Sequence, residues 1–496
     1  MISHDLYTAA QVRRIDQQVI AQQSVAGYTL MQRAATSAFA LLQKRWPAVR
    51  SVVVLCGSGN NGGDGYLLAL LAHQAGLQVD VLAFGTAKSA SDAARAHSVF
   101  RDGGGTIISS HENTLLPQAD VYVDALFGTG LTRPLSGIAA VLVTQLNASD
   151  SPVLSLDIPS GVNADTGGAQ GVAVQADVTL SLIAHKRGLF TSDALDFRGE
   201  LLLDTLDASA TAYANETADA CLLDRHELDT WLAPRKKNVH KGSFGHVLAI
   251  GGDHGMAGAI RLAAEAALRC GAGLVSVATR GGHVPALNAA RPELMAQGVE
   301  DAQALEHLLP RISTLALGPG LGQCAWGHAL WHTALDVGKS QVVDADALNM
   351  LALQPRQFST PTVLTPHPTE AARLLEVTTA EIQSDRFSAA RKLAKKFNAV
   401  IVLKGAGSLV CAPDGQVRIC PWGNPGMAVA GMGDVLTGVI AALLAQGIPA
   451  WPAAQLGVAL HALAGDAAAK QGQRGLLASD LFPHLRLLAN GVKTNG

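Results

Sequence analysis

Residues 51–74 read SVVVLC, GSGNNGGDG and YLLALLAHQ: a β-branched apolar run, a glycine-rich turn and a helical apolar pattern in immediate succession. A run apolar at every position is a strand covered on both faces, as in a parallel sheet with helices on either side. The same strand, turn and helix order recurs along the chain. Gln78–Phe84, Asp120–Leu126, Val153–Ile158 and Asp177–Ile183 complete a first series of strands. Residues 207–224 (DASATAYANETADACLLD) lose both periodicities and read as a linker. A second series then runs through His246–Ile250, Leu274–Thr279, Thr314–Leu317, Gln341–Asp344, Thr362–Thr365 and Ala399–Leu403. The pattern predicts an α/β protein of two doubly wound, three-layer domains, residues 1–215 and 225–496, the first of them Rossmann-like.

Composition agrees. A chain of 496 residues is too long for one ordinary core, and 48% apolar against 16% charged residues with 51 glycines suits tightly packed α/β layers rather than a disordered chain. The net charge of −3 leaves no basic surplus for nucleic acid. Up to residue 220 the chain carries 13 Lys and Arg against 20 Asp and Glu, and afterwards 24 against 20, so the second half is the better host for phosphates. The six cysteines form no CxxC pair, which points to a reducing compartment, and Cys56 and Cys270 sit in apolar runs as small hydrophobes. No stretch approaches about 20 uninterrupted apolar residues. The N-terminal MISHDLYTAAQVRRIDQQVIAQQ is a polar helical pattern and not a signal peptide. The expectation is a cytoplasmic protein with no nucleic-acid or membrane partner. The Ala-rich stretch Trp451–Lys470 offers apolar area for a homo-oligomer.

In doubly wound sheets, ligands gather at the carboxyl ends of strands. Gly57-x-Gly59-x-x-Gly62, with Asp80 downstream, matches a dinucleotide fingerprint, and a glycine-rich turn without a ligand reads equally simply. Asp64 puts a carboxylate where a pyrophosphate would lie, which argues against an ordinary hydride-transferring enzyme. Two Asn and one Asp instead suit hydroxyl recognition and carbonyl ligation of a hard cation. Asp124 ends a strand ahead of Gly128-Thr129-Gly130-Leu131-Thr132-Arg133-Pro134, and Asp157 ends another ahead of Pro159, Ser160 and Gly161. Buried and unpaired, each carboxylate would cost several kcal/mol. They therefore cap turns, hold a cation or do acid–base work.

NNGGDG, VDALFGTGL and LDIPSG, in that order and spacing, resemble NAD(P)H-hydrate epimerase, the N-terminal half of bifunctional metabolite-repair enzymes. The resemblance covers residues 1–215. It implies that Asn60, Asn61, Gly62, Gly63 and Asp64, together with Gly128–Pro134, bind the hydrated nicotinamide nucleotide. It also implies that Asn61, Asp124 and Ser160 coordinate potassium, and that Asp157 touches the substrate. The hydrate carries a hydroxyl on C6 beside N1, so an acid can help it leave and water can return to either face. Asp157 is the expected acid/base, its pKa raised by a dry pocket.

In the second half, Lys236, Lys237 and Lys241 flank a segment that resembles a phosphate loop only loosely and reads as well as a solvated basic turn. Gly255-Met256-Ala257-Gly258-Ala259 opens a helix, and Gly318-Pro319-Gly320-Leu321-Gly322 follows a strand. Two further strands deliver Asp344 with Asp346, and His367 with Glu370. His367, between two prolines, is either structural or a ligand contact. Lys404-Gly405-Ala406-Gly407-Ser408 forms a cationic glycine turn suited to nucleotide phosphate. The strongest signal is Ala430-Gly431-Met432-Gly433-Asp434-Val435-Leu436-Thr437-Gly438, where glycines expose backbone N–H groups at a helix start. Asp434, inside that first turn, can accept a proton from a hydroxyl attacking phosphorus.

A GxGD helix start of this kind resembles the ribokinase-like sugar and vitamin kinases. HKGSFGHVLAIGG, GPGLG, TPHPTE, KGAGS and GMGDVLTG together resemble, within that group, ADP/ATP-dependent NAD(P)H-hydrate dehydratase over residues 225–490. The resemblance implies that Ala259, Gly320, His367 and Asp434 contact the hydrate and that Lys404–Ser408 and Gly433 hold the adenine nucleotide. It further implies magnesium at the transferring phosphoryl group and, for bacterial members with this domain order, ADP as donor. The expected partners are thus hydrated NADH, hydrated NADPH and ADP. The competing reading is a ribokinase-like vitamin or sugar kinase with an appended Rossmann-like module.

Overall fold

The computed structural model describes residues 4–111, 114–131, 133–169 and 171–490. The chain forms two compact units that divide between Cys221 and Leu222. The expected linker has structure of its own: Ala210–Tyr213 is helical, Ala220–Leu222 is a strand, and the Tyr213 hydroxyl donates to Ile183 O at 2.7 Å. Ala212 and Tyr213 are buried in the first core, which their polar neighbours concealed in the sequence.

The first unit holds seven parallel strands: β1 Ser51–Cys56, β2 Gln78–Ala83, β3 Thr106–Ser109, β4 Val121–Ala125, β5 Val153–Leu156, β6 Val178–Leu182 and β7 Glu200–Asp204. Their order is β3-β2-β1-β4-β5-β6-β7, so chain direction across the sheet reverses between β1 and β4. Side chains alternate across the pleat, and every position of β1 beyond Ser51 is buried. Val52, Val54 and Cys56 enter one core with Leu68 and Ala69; Val53 and Leu55 enter another with Tyr122 and Leu142. The Cys56 thiol is pushed far up by this burial, as expected of an inert hydrophobe. Helices α1 (Ala9–Gln23), α2 (Gly27–Arg45) and α3 (Asn60–Gln74) pack on the first of these faces.

The second unit contains β8 His246–Ile250, β9 Leu274–Thr279, β10 Met295–Gly298, β11 Thr314–Leu317, β12 Ser340–Val343, β13 Thr362–Leu364, β14 Val400–Leu403, β15 Leu409–Cys411 and β16 Val417–Ile419. They run β16-β15-β14-β13-β12-β11-β8-β9-β10, parallel from β14 to β10 and antiparallel through β15 and β16. Helices α4 (Ala257–Arg269), α5 (Ala345–Leu353), α6 (Pro368–Leu375), α7 (Met432–Ala445) and α8 (Ala450–Ala469) follow strand ends or cover the sheet. Helix α7 lies so close to α4 that a Cβ at Gly438 would stand 1.9 Å from Ala263 O. The Ala-rich face expected to reach a second subunit is spent inside this core: Ala453, Leu456, Val458, Leu460 and Ala464 are all buried. No helix among the described residues is long and apolar enough to cross a membrane.

Candidate active sites

In the first unit, β1, β4 and β5 end side by side, with Cys56 level with Ala125 and Asp124 level with Ser155. A cavity of about 500 Å3 opens above these ends. Asn60, Asn61 and Asp64 line it from the N-terminal part of α3, Gly128, Thr129, Gly130 and Leu131 from the loop after β4, and Asp157 from the end of β5. Gly62 and Gly63 do not reach it. A Cβ at Gly62 would lie 1.9 Å from Gly57 O, and one at Gly63 would meet Met31, so these glycines serve helix packing rather than ligand approach. Arg133 and Pro134 are exposed beyond the rim, and Thr132 lies outside the described residues. Asp80 stands in the first half of β2 beside Val53, well before the carboxyl end, and cannot play the ribose-binding acid of a dinucleotide fold.

Asp157 has left-handed backbone, φ 68°, and forms an ion pair with Lys186, whose side chain is fully buried. Lys186 also donates to Leu182 O at 2.8 Å, while the Leu182 amide donates to Asp157 Oδ1 at 3.3 Å. The expected dry, unpaired acid is therefore an ion-pair partner. The carboxyls with raised pKa are its neighbours. Burial pushes Asp16 up to about 7, with Lys186 opposing and Asp157 adding to the rise. Burial, then Asp157 and Asp16, push Asp64 well above the carboxylate range. The sequence reading missed Asp16 and Lys186. Asp16 had a signal: it follows Val12 by four residues and precedes Val19 by three, on the buried stripe of α1.

Beneath the cavity, the fully buried Asp124 accepts from Ser160 N at 2.8 Å, Ser160 Oγ at 2.6 Å, Ser155 Oγ at 2.9 Å and Leu126 N at 3.2 Å. Ser160 Oγ in turn accepts from Phe127 N at 2.9 Å. Burial raises the Asp124 pKa and these donors restrain the rise. Both polar atoms of the Asn61 amide are buried with no hydrogen-bond partner in the structure. An orphaned carbonyl oxygen, with carboxylate and hydroxyl oxygens supplied from the neighbouring strand ends, is a set of donor types that fits a hard monovalent cation.

In the second unit, Gly431 starts α7 with φ 89°, placing Asp434 in the first turn, where the helix dipole favours negative charge. Lys404 Nζ lies 2.8 Å from Asp344 Oδ1 and 3.8 Å from a Glu370 oxygen. Thr437 Oγ1 donates to Asp344 Oδ2 at 2.8 Å, and a Cβ at Gly433 would stand 3.1 Å from Lys404 Nζ. Burial, then Asp344, push Asp434 up to about 7; burial also raises Glu370 to about 7 against the pull of Lys404. The Lys404 side chain thus points into a carboxylate cluster, while Gly405 and Ala406 remain exposed on the turn. Ser408 Oγ donates to Gly405 O at 2.9 Å, closing that turn.

His367 caps α6: its Nδ1 accepts from Thr369 N at 3.1 Å and Glu370 N at 3.4 Å, and its Nε2 lies 3.3 Å from Glu370 Oε1. Burial lowers its pKa. The ring is both structural and half exposed. Gly320 (φ 59°) packs against Met256 and Ala259, which brings the two substrate candidates together. Gly322 N donates to Asp346 Oδ2 at 2.8 Å, tying this loop to α5 beside Asp344. Among the described residues no group of three or more His, Cys, Asp and Glu is arranged to hold a metal ion.

Known proteins match both units. The family model described as NAD(P)H-hydrate dehydratase matches residues 247–486, and that of the YjeF-related protein N-terminus matches residues 27–188. A bifunctional NAD(P)H-hydrate repair enzyme of Coxiella burnetii is 44% identical over 98% of this chain and 99% of its own. Its counterpart in Escherichia coli is 42% identical over 100% of this chain and 96% of its own. The ADP/ATP-dependent NAD(P)H-hydrate dehydratase of Bacillus subtilis, crystallised with ATP and Mg2+, covers 55% of this chain and 98% of its own at 27% identity and a TM-score of 0.50. By sequence across nearly its whole length, the chain belongs to the family of bifunctional NAD(P)H-hydrate repair enzymes.

Proposed function

We propose that the first unit interconverts the R and S epimers of hydrated NADH and NADPH. The second dehydrates the S epimer at the expense of ADP, giving NAD(P)H, AMP and phosphate. One observation carries the reading: Asp434, held near neutral pKa at a glycine-cradled helix start, stands in the same cluster as the Lys404–Asp344 pair. In our reading Asp434 takes the C6 hydroxyl proton as the oxygen attacks the terminal phosphorus. The resulting phosphate then leaves as the N1 lone pair closes the C6=N1 bond, and loss of a proton from C5 forms the C5=C6 bond and restores the dihydronicotinamide. Ala259, Gly320 and His367 face the hydrate. Gly405–Ser408 and Gly433 receive the nucleotide, and the Lys404 charge beside Gly433 meets the transferring phosphoryl group.

At the first site Asp157 exchanges the proton with the C6 hydroxyl, and Asn60, Asn61 and Asp64 with Gly128–Leu131 frame the nucleotide. Asn61, Asp124 and Ser160 would hold potassium, supplying fixed positive charge beneath an electron-rich substrate. No group of three or more His, Cys, Asp and Glu among the described residues would hold magnesium by itself, so the ion would enter with the nucleotide phosphates. Buried thiols such as Cys56 and Cys270 suit action in the cytoplasm. The test is to incubate hydrated NADH with the protein, with and without ADP or ATP, and follow absorbance at the nicotinamide band. Nucleotide-dependent recovery of both epimers supports the reading; a phosphorylated hydrate that accumulates without elimination overturns it.

A further inference from the structure

Epimerisation at C6 asks more of a site than one acid/base can give. The hydroxyl must be protonated where it leaves, and the incoming water must be deprotonated on the other face of the ring. A carboxyl fixed on one face cannot do both. The first cavity receives carboxyl groups from separate elements: Asp157 from the end of β5 and Asp16 from helix α1. Asp157 is tied to Lys186, whereas the Asp16 carboxyl makes no such pair among the described residues. Arg13, its neighbour on α1, turns instead to Thr129 O at 3.3 Å.

We propose that Asp16 is the second catalytic residue of the epimerase site, serving the ring face opposite Asp157. This rests on the epimerase reading of the first unit. In one direction, the N1 lone pair forms C6=N1 as the C6–O bond breaks, and the Asp16 proton goes to the departing oxygen, which leaves as water. A water on the other face then adds to C6, the C6=N1 electrons return to N1, and the shed proton goes to Asp157. The reverse reaction exchanges the roles. Water in the shared cavity returns the proton between turnovers, so no oxidant, reductant or nucleotide is consumed. Asp16 has its pKa at about 7, set by burial, Lys186 and Asp157, with Asp64 from α3 and Tyr213 from the 210–213 helix also facing it.

The test uses the full-length chain and purified single epimers of hydrated NADH, with interconversion followed by chromatography and dehydration by absorbance. Asp16→Asn is expected to lower epimerisation kcat on the order of 100-fold or more, with KM within about threefold. The parent's rate should fall above pH ~7, and Asp16→Asn should remove that fall, because the acid form of Asp16 is then no longer required. Asp16→Glu should restore part of the rate, and dehydration should be retained in both variants. Epimerisation by Asp16→Asn within about threefold of the parent overturns the proposal, as does a slowed variant that keeps the alkaline limb. If the parent itself does not interconvert the epimers, the epimerase reading fails first and takes this assignment with it.

Discussion

Lys404 Nζ sits 2.8 Å from Asp344 Oδ1, joining the turn after β14 to the end of β12 at the point where α7 begins. Asp344 is almost wholly buried, and the ammonium together with the Thr437 hydroxyl compensates its charge. Burial opposes the Lys404 charge, yet Asp344 and Glu370 outweigh it and raise its pKa. Removing the cation leaves a buried carboxylate alone. Lys404→Met should therefore destabilise the second unit by about 3 kcal/mol. The readout is the urea midpoint for loss of dehydration, normalised to each protein's activity without urea. An unchanged midpoint would show that Asp344 does not depend on this partner.

The same cluster sets the pH dependence of dehydration. Asp434 works as a base only when ionised, and burial with Asp344 holds its pKa at about 7. The rate should rise with pH from 6 to 8 along a limb centred near 7 rather than near 4. Asp434→Asn should lower dehydration on the order of 100- to 10,000-fold and leave epimerisation as it was. A flat profile across this range, or equal loss of both activities, would count against Asp434 as the base.

The strands legible in the sequence are those buried on both faces. SVVVLC, VYVDA and VIVL are apolar at nearly every position because helices cover each side. The overlooked strands lie at or near the sheet edges, where burial no longer dictates composition: Thr106–Ser109, Glu200–Asp204 and Met295–Gly298 are largely exposed or half-buried. Leu409–Cys411 and Val417–Ile419 are three-residue antiparallel strands, too short for a period to register. The rule of looking at strand ends led to Asp124, Asp157 and Asp344, and the glycine-rich helix start led to Asp434. It could not foresee Lys186, which reaches Asp157 through tertiary packing. Nor could it show that Lys404 turns toward carboxylates instead of outward.

Potassium dependence follows from the Asn61 amide, buried with neither polar atom partnered among the described residues, while Asp124 and Ser160 bond to each other at the neighbouring strand ends. An unsatisfied buried amide costs on the order of 1–3 kcal/mol, which a bound cation at its oxygen would offset. Epimerisation should stimulate with potassium and not with choline at equal ionic strength. Asn61→Ala should raise the half-maximal potassium concentration at least about tenfold, corresponding to about 1.4 kcal/mol of lost binding. Superimposable potassium titrations of parent and variant would remove Asn61 from the site.

Two glycines of the first turn separate packing from ligand access. At Gly62 a Cβ would fall 1.9 Å from Gly57 O, a backbone atom that cannot yield without moving α3 off β1. At Gly59, the residue before α3, φ is −98° and a Cβ would meet nothing within 4 Å. Gly62→Ala gains helix propensity but forces that clash, and overpacking of this kind costs about 1–3 kcal/mol. Gly59→Ala should cost at most about 0.5 kcal/mol, since the conformation is open to any residue. The comparison is the urea midpoint for loss of epimerisation in each variant, scaled to its own activity in buffer. Dehydration should resist urea equally in both, because the second unit has its own core. Equal midpoints for the two alanine variants would mean that α3 can shift on the sheet, and the glycine at 62 would then have to be explained by contact with substrate.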